Sequence, residues 1–272
     1  MLEKLLNLDR RYIFICMAVA VVLPVFLPMR LEVIPTESAK AGYHFIEALP
    51  DGSNLLLSVD YGPSTKVECH PMVIAVLHQA FRKNMKVATM SIWPEGQPYA
   101  TQALNEVAPQ YDKRYGLDYV DLGYKAGNDA VLVSLGIDFR GLFKTDLKGN
   151  RLADLPMMQS IFGLRDFAAV GCYSAGRPGA LEHIKYTASQ YGMPLIIGCT
   201  AVQTPEYYTY FSSGQLKGLL GGMRGAAEYE VLANVDGTAV PGMDAQSIAH
   251  FTIAFFIIFS NVVYFLGRGK RR

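Results

Sequence analysis

The sequence predicts a doubly wound, mostly parallel α/β sheet of about five strands, carried between an N-terminal and a C-terminal transmembrane helix. Three observations predict it. Residues 54–59 form a short, nearly continuous apolar run ended by Asp60, Tyr61 and a Gly62-Pro63-Ser64 break, the signature of a strand buried on both faces. Strand-like and helix-like segments then alternate down the chain, which favours a Rossmann-like sheet over a sandwich. A long uncharged apolar segment lies near each end.

Taken in order, residues 36–49 read as a short amphipathic helix with Thr36 as N-cap. Pro50-Asp51-Gly52 turns the chain into the first strand. A helix beginning near Pro71 runs to about Asn84, with Val73, Val76, Leu77 and Phe81 on its buried face. Residues 86–92 are a second strand, and 99–115 are mainly helical, with Pro109 dividing them. A short third strand follows at 119–122, then a helix at 129–135 and a loop-like stretch at 139–156. Residues 167–172 and 194–199 are the fourth and fifth strands, separated by a helix over 179–191.

The end segments set the expected topology. Residues 12–29 carry no charge and are flanked by Arg10, Arg11 and Arg30; no small-x-small site follows them, so they read as an anchor rather than a cleaved leader. Residues 245–267 lack Asp, Glu, Lys and Arg, and Arg268, Lys270, Arg271 and Arg272 follow. With Lys4 also in the first tail, basic flanks place both termini in the cytoplasm of a plasma (inner) membrane protein. The expected organisation is therefore a cytoplasmic tail (1–11), a span (12–29), an extracytoplasmic α/β domain (30–244), a second span (245–267) and a basic tail (268–272). The formal charge of +1 conceals an uneven distribution, because residues 31–244 hold 17 Lys/Arg against 22 Asp/Glu, a net of −5. No nucleic-acid partner is expected from such a domain, which has no basic face.

In a doubly wound sheet, ligands sit outside the carboxyl ends of the strands. Asp60, Tyr61, Trp93, Tyr124, Ser174 and Thr200 fall at such ends, and Arg177 follows one, making them candidates for ligand binding. The catalytic candidates are Asp60, Cys69, His70, Cys172 and Cys199. The similar ends GCYSA and GCTAV leave two readings of Cys172 and Cys199: a disulfide if the strands pair in register, or two small buried thiols. Cys69-His70 invites a Cys–His nucleophile, against a plain packing role at a helix start. No metal is assigned, since no C-x-x-C spacing supports one, and no cofactor is indicated, since no G-x-G-x-x-G or Walker loop is present.

In the run SSGQLKGLLGGMRGAAEYEV, Gly214, Gly218 and Gly222 are four apart, as are Gly221 and Gly225. As a helix this makes a smooth stripe for close packing within the fold or between subunits; the alternative is a loop at a ligand. The stretch from GCTAVQTPEYY to GMDAQSIAH, with DYGPS and GYKAG, resembles two-pass bacterial and archaeal membrane proteins that carry no assigned activity. The expected function is thus a non-catalytic membrane protein whose outer domain binds a ligand or partner, with the membrane and a homo-oligomer or larger membrane complex as its partners. The rival readings are a hydrolase-like enzyme using the strand-end cluster and a structural subunit.

Overall fold

The computed structural model describes residues 9–27, 29 and 31–269. The chain divides into two compact units, Val33–Ala239 and a terminal unit drawn from Met1–Glu32 and Val240–Arg272.

The first unit is an α/β domain. Strands β1 (Asn54–Asp60), β2 (Lys86–Ser91), β3 (Tyr119–Tyr124), β4 (Ala169–Ser174), β5 (Leu195–Cys199) and β6 (Gly218–Gly221) form one sheet in the order β3-β2-β1-β4-β5-β6. All of its pairings are parallel. The order reverses between β1 and β4, which defines a switch point at their carboxyl ends. In chain order, α1 (Arg10–Phe26) belongs to the terminal unit, and α2 (Glu37–Ala48), α3 (Lys66–Arg82), α4 (Gln97–Val107), α5 (Asp129–Ile137), α6 (Ala180–His183), α7 (Thr204–Ser212) and α8 (Gly222–Ala233) belong to the domain. A last helix, α9, spans Ala239–Gly269.

Helices cover both faces. On one, Leu56, Met90, Val170 and Ile197 pack with Leu132 of α5, Ile184 beyond α6 and Tyr207 of α7. On the other, α8 packs on α3 and α2 on β6. The segment between α5 and β4 supplies Phe139, Phe143, Met157 and Phe167 to the first core, so its irregular backbone is buried by side chains rather than loose.

Several expectations change. Helix α3 starts at Lys66, after a short turn over Pro63–Thr65, and encloses Pro71 rather than beginning there. The break expected at Pro109 is present: α4 ends at Val107 and a 3₁₀ turn over Ala108–Tyr111 contains the proline. The sheet has six strands, and the sixth comes out of the glycine run. Gly214 lies in an exposed turn at φ +81°, Gly218 and Gly221 are in β6, and Gly222 opens α8 at φ +61°. The continuous helical stripe is therefore overturned, because the open edge of β5 captures Gly218–Gly221 and buries Leu219 and Leu220. Close packing is still what Gly218 and Gly225 serve, whereas Gly214 has open space around it. A Cβ on Gly218 would stand 2.4 Å from the Gly42 Cα, and one on Gly225 would stand 2.8 Å from the Leu220 carbonyl carbon.

In the terminal unit, residues of α1 and α9 line shared apolar grooves, Ile13 and Met17 with Ile253 and Phe256 in one of them. The Leu31 N–H donates to Asp244 Oδ1 at 3.0 Å. Among the described residues one helix is long and apolar enough to cross a membrane, Ala239–Phe265, and nearly all of its apolar stretch is exposed. The helix over the predicted span 12–29 is Arg10–Phe26, 17 residues long, and ends three residues before the span does; a crossing takes about 20. Its early end has a local cause: Pro28 disfavours helical backbone at Leu27, whose φ and ψ are −126° and 78°. Lys4, Pro28, Arg30, Lys270, Arg271 and Arg272 lie outside the described residues.

The Gly42–Gly218 approach predicts that Gly218→Ala lowers stability by about 1–3 kcal/mol through overpacking. Gly163→Ala, at an extended position with open space around it, should change stability by less than about 0.5 kcal/mol. Chemical unfolding of the detergent-solubilised chain compares the two, and equal stabilities would contradict the approach.

Candidate functional site at the switch point

Register brings the chemistry together at the β1/β4 junction. Ser58 stands opposite Cys172 and Asp60 opposite Ser174, so these four side chains share one face of the sheet. Asp60 is fully buried. Its Oδ2 accepts from Ser58 Oγ at 2.6 Å and its Oδ1 from the Ile92 N–H at 2.8 Å. Burial pushes its carboxyl up to about 7 despite those bonds. His183, in the first turn of the helix after β4, closes over the same face. Its Nδ1 lies 3.0 Å from Thr187 Oγ1, and its buried Nε2 has no partner. One ligand atom each from Asp60, Cys172 and His183 lie within 4.8 Å of one another.

The crevice above this group is closed. Trp93 Nε1 donates to the Pro178 carbonyl at 2.6 Å. A Cβ on Gly176 would stand 3.0 Å from the Trp93 ring, so the indole packs tightly over that glycine. Ser174 turns back on its own loop, donating to the Gly176 carbonyl at 3.0 Å. Arg177 points to solvent and reaches Glu206 at 3.4 Å, a surface pair rather than an anion site. Thr200 Oγ1 bonds Gln203 at 3.2 Å, and Tyr124 is exposed at the end of β3, two strands from the switch point. These predicted ligand residues therefore do not converge on an open strand-end site. Asp60 and Trp93 meet there as buried group and cover.

The thiols are equally separated by register. Cys172 stands opposite Ile197, and Cys199 stands opposite Ser174, an offset of two residues. Neither is bonded, and all four cysteines are free, so the disulfide reading is overturned. Burial pushes Cys172 and Cys69 up and Cys199 up to about 12, keeping them protonated and poor as nucleophiles. His70 Nδ1 lies 2.7 Å from Tyr61 Oη, and Tyr61 stacks on Tyr99 at 5.5 Å between ring centroids. His70 serves the tyrosine and not the neighbouring Cys69, so the Cys–His nucleophile is not assembled.

A separate cleft of about 620 Å³ opens on the outer side of α3. Lys66, His70, Ile74 and His78 of α3 face Gln102 of α4 and Gln110 of the 3₁₀ turn that follows it, and residues 234–238 line one end. Lys66 Nζ donates to Gln102 Oε1 at 3.0 Å across it. His78 Nδ1 lies 3.0 Å from Tyr111 Oη. Of the residues singled out from sequence, only His70 lines this cleft. Its signal was nonetheless present: 66, 70, 74 and 78 recur every four residues, as do 102 and 106, and such spacing puts each set on one helix face. His183, by contrast, sits in LEHIKYT with no spacing to mark it.

Fold and site together define a doubly wound parallel α/β domain with a closed switch point and an open polar cleft in its helix layer. Compared with known proteins, the chain matches no protein-family model, no curated protein and no solved structure.

Burial, with the Lys66 ammonium nearby, pulls His70 down to about 4 from an ordinary value of 6.5. On acidification the unfolded chain takes that proton first, so this contribution to stability is complete above pH 6.5 and drains away toward pH 4. His70→Asn should flatten the fall in stability between about pH 6.5 and about pH 4. The other histidines stay in both proteins, so the difference between their unfolding curves isolates His70. An unchanged slope would contradict the assignment.

Proposed function

We propose that this chain is a membrane-anchored, non-catalytic binding protein. Its α/β domain lies on the outer side of the plasma membrane and takes a small polar ligand in the cleft between α3 and α4. The observation that carries the reading is α9, whose apolar stretch Ala239–Phe265 is long enough to cross a bilayer and lies almost bare. No soluble globule leaves so continuous an apolar surface uncovered without a partner for it. Helix α1, with Phe14, Ile15, Val19 and Phe26 exposed, serves as the second membrane element, and both termini face the cytoplasm. Lipid and further copies of the chain, or a larger membrane complex, cover what the two helices leave open.

The cleft supports a ligand-binding role because it mixes a cation, carboxylates and amides along one wall-to-wall space, a lining suited to a hydroxyl-rich or zwitterionic small molecule. The enzyme reading loses ground because its thiols are buried, and burial holds them protonated.

The chain should stay with membranes through an alkaline wash and leave them only with detergent; recovery in the soluble fraction would end the anchoring claim. In a Cys16→Ser background, Ser213→Cys in the exposed turn should react with a membrane-impermeant maleimide on intact cells. Reaction only after permeabilisation would reverse the orientation. Detergent-solubilised protein should be stabilised against heat by at least one class among monosaccharides, amino acids and nucleosides, and Gln110→Trp, which fills the cleft, should abolish that shift. If no class stabilises the chain, the cleft is not the binding site.

A further inference from the structure

We infer that Asp60, Cys172 and His183 supply three protein ligands to a buried zinc-type metal site that pins β1, β4 and α6 together beneath the switch point. The three side chains come from three elements and present one carboxylate oxygen, one sulfur and one ring nitrogen within 4.8 Å of each other. Zinc bonds of about 2.0–2.3 Å put tetrahedral ligand atoms about 3.3–3.8 Å apart, so the group needs to close by little more than 1 Å. A mixed S, N, O donor set suits zinc rather than magnesium or calcium, which take oxygen alone.

The surroundings fix the orientation of two of the three ligands. With Nδ1 committed to Thr187 Oγ1, Nε2 is left as the ring nitrogen without a partner, fully buried. That is how the second nitrogen of a ligating histidine is ordinarily held. Asp60 is fixed in the same way by Ser58 and the Ile92 N–H. Charge also balances: a divalent cation with one thiolate and one carboxylate is neutral, which is what a site without solvent requires. Binding places a proton from the Cys172 thiol, and one from Asp60 where it is protonated, into solvent. The closed crevice gives the ion no ready exit, so the site exchanges slowly and acts on stability rather than on a substrate.

The test is metal analysis of the full chain in detergent. One zinc per chain is expected after dialysis against a mild chelator, and its removal under denaturing conditions should be reversed by refolding with Zn²⁺ alone. Substituting Co²⁺ should give a thiolate-to-cobalt absorption band. His183→Gln and Cys172→Ala should each lower metal content at least tenfold and remove the band or shift it, whereas Cys69→Ala, another buried thiol, should keep both. A chain that purifies without metal and takes up neither Zn²⁺ nor Co²⁺ on refolding overturns the site, as does full occupancy in the Cys172→Ala, His183→Gln double variant. If the variants do not fold, the wild-type chain decides the matter: its melting temperature must fall when a strong chelator strips the ion, and no fall refutes a structural metal.

Discussion

Strand β1 is enclosed on every side, and the rest of the domain follows from that enclosure. Leu55 to Tyr61 are all buried, with exposures of 1% or less. Residues 54–58 pair with β2 along one edge, and 55–60 pair with β4 along the other. A slip of one residue would exchange its two faces, placing Ser58 and Asp60 where Val59 and Leu57 now sit. Fixing this register therefore also fixes what stands beside Cys172. The polar group at the switch point exists because a central strand carries a serine and an aspartate into the interior and cannot let them out.

The same enclosure explains why the strand-end crevice is not the open feature of this molecule. Short loops bring backbone against Gly96 and Gly179, and the Glu95 and Trp93 side chains against Gly62 and Gly176. A Cβ on Gly96 would stand 1.9 Å from the Val59 carbonyl oxygen, and one on Gly179 would stand 1.9 Å from Ser174 Oγ. Glycines that in nucleotide-binding sheets make room for a phosphate here make room for other parts of the chain. Space for a ligand appears instead where α3 and α4 diverge, in the layer outside the sheet.

Much of the fold was legible in the sequence because burial on both faces writes itself as apolar runs, and β1, β2, β4 and β5 carry one. β6 escaped because its residues, Gly218-Leu219-Leu220-Gly221, spell neither a strand nor a stripe; only the vacant edge of β5 makes them a strand. The site was legible in half. Asp60 and Cys172 end or nearly end apolar runs, and position in a parallel sheet marks such residues. Their company was not, since His183 reaches them from a helix eleven residues past Cys172 through a loop whose path no local pattern encodes. The in-register reading of Cys172 and Cys199 failed for a related reason: similar strand endings say nothing of stagger, and here the stagger is two residues.

Trp93 is the only tryptophan in the chain, and its indole is clasped between the β4–α6 loop and the sheet by its bond to Pro178. Parting the two loops at the β1/β4 junction means breaking that bond and wetting the ring. The molecule thus carries its own optical gauge, an intrinsic emission whose colour reports from one place whether the top of the sheet is shut.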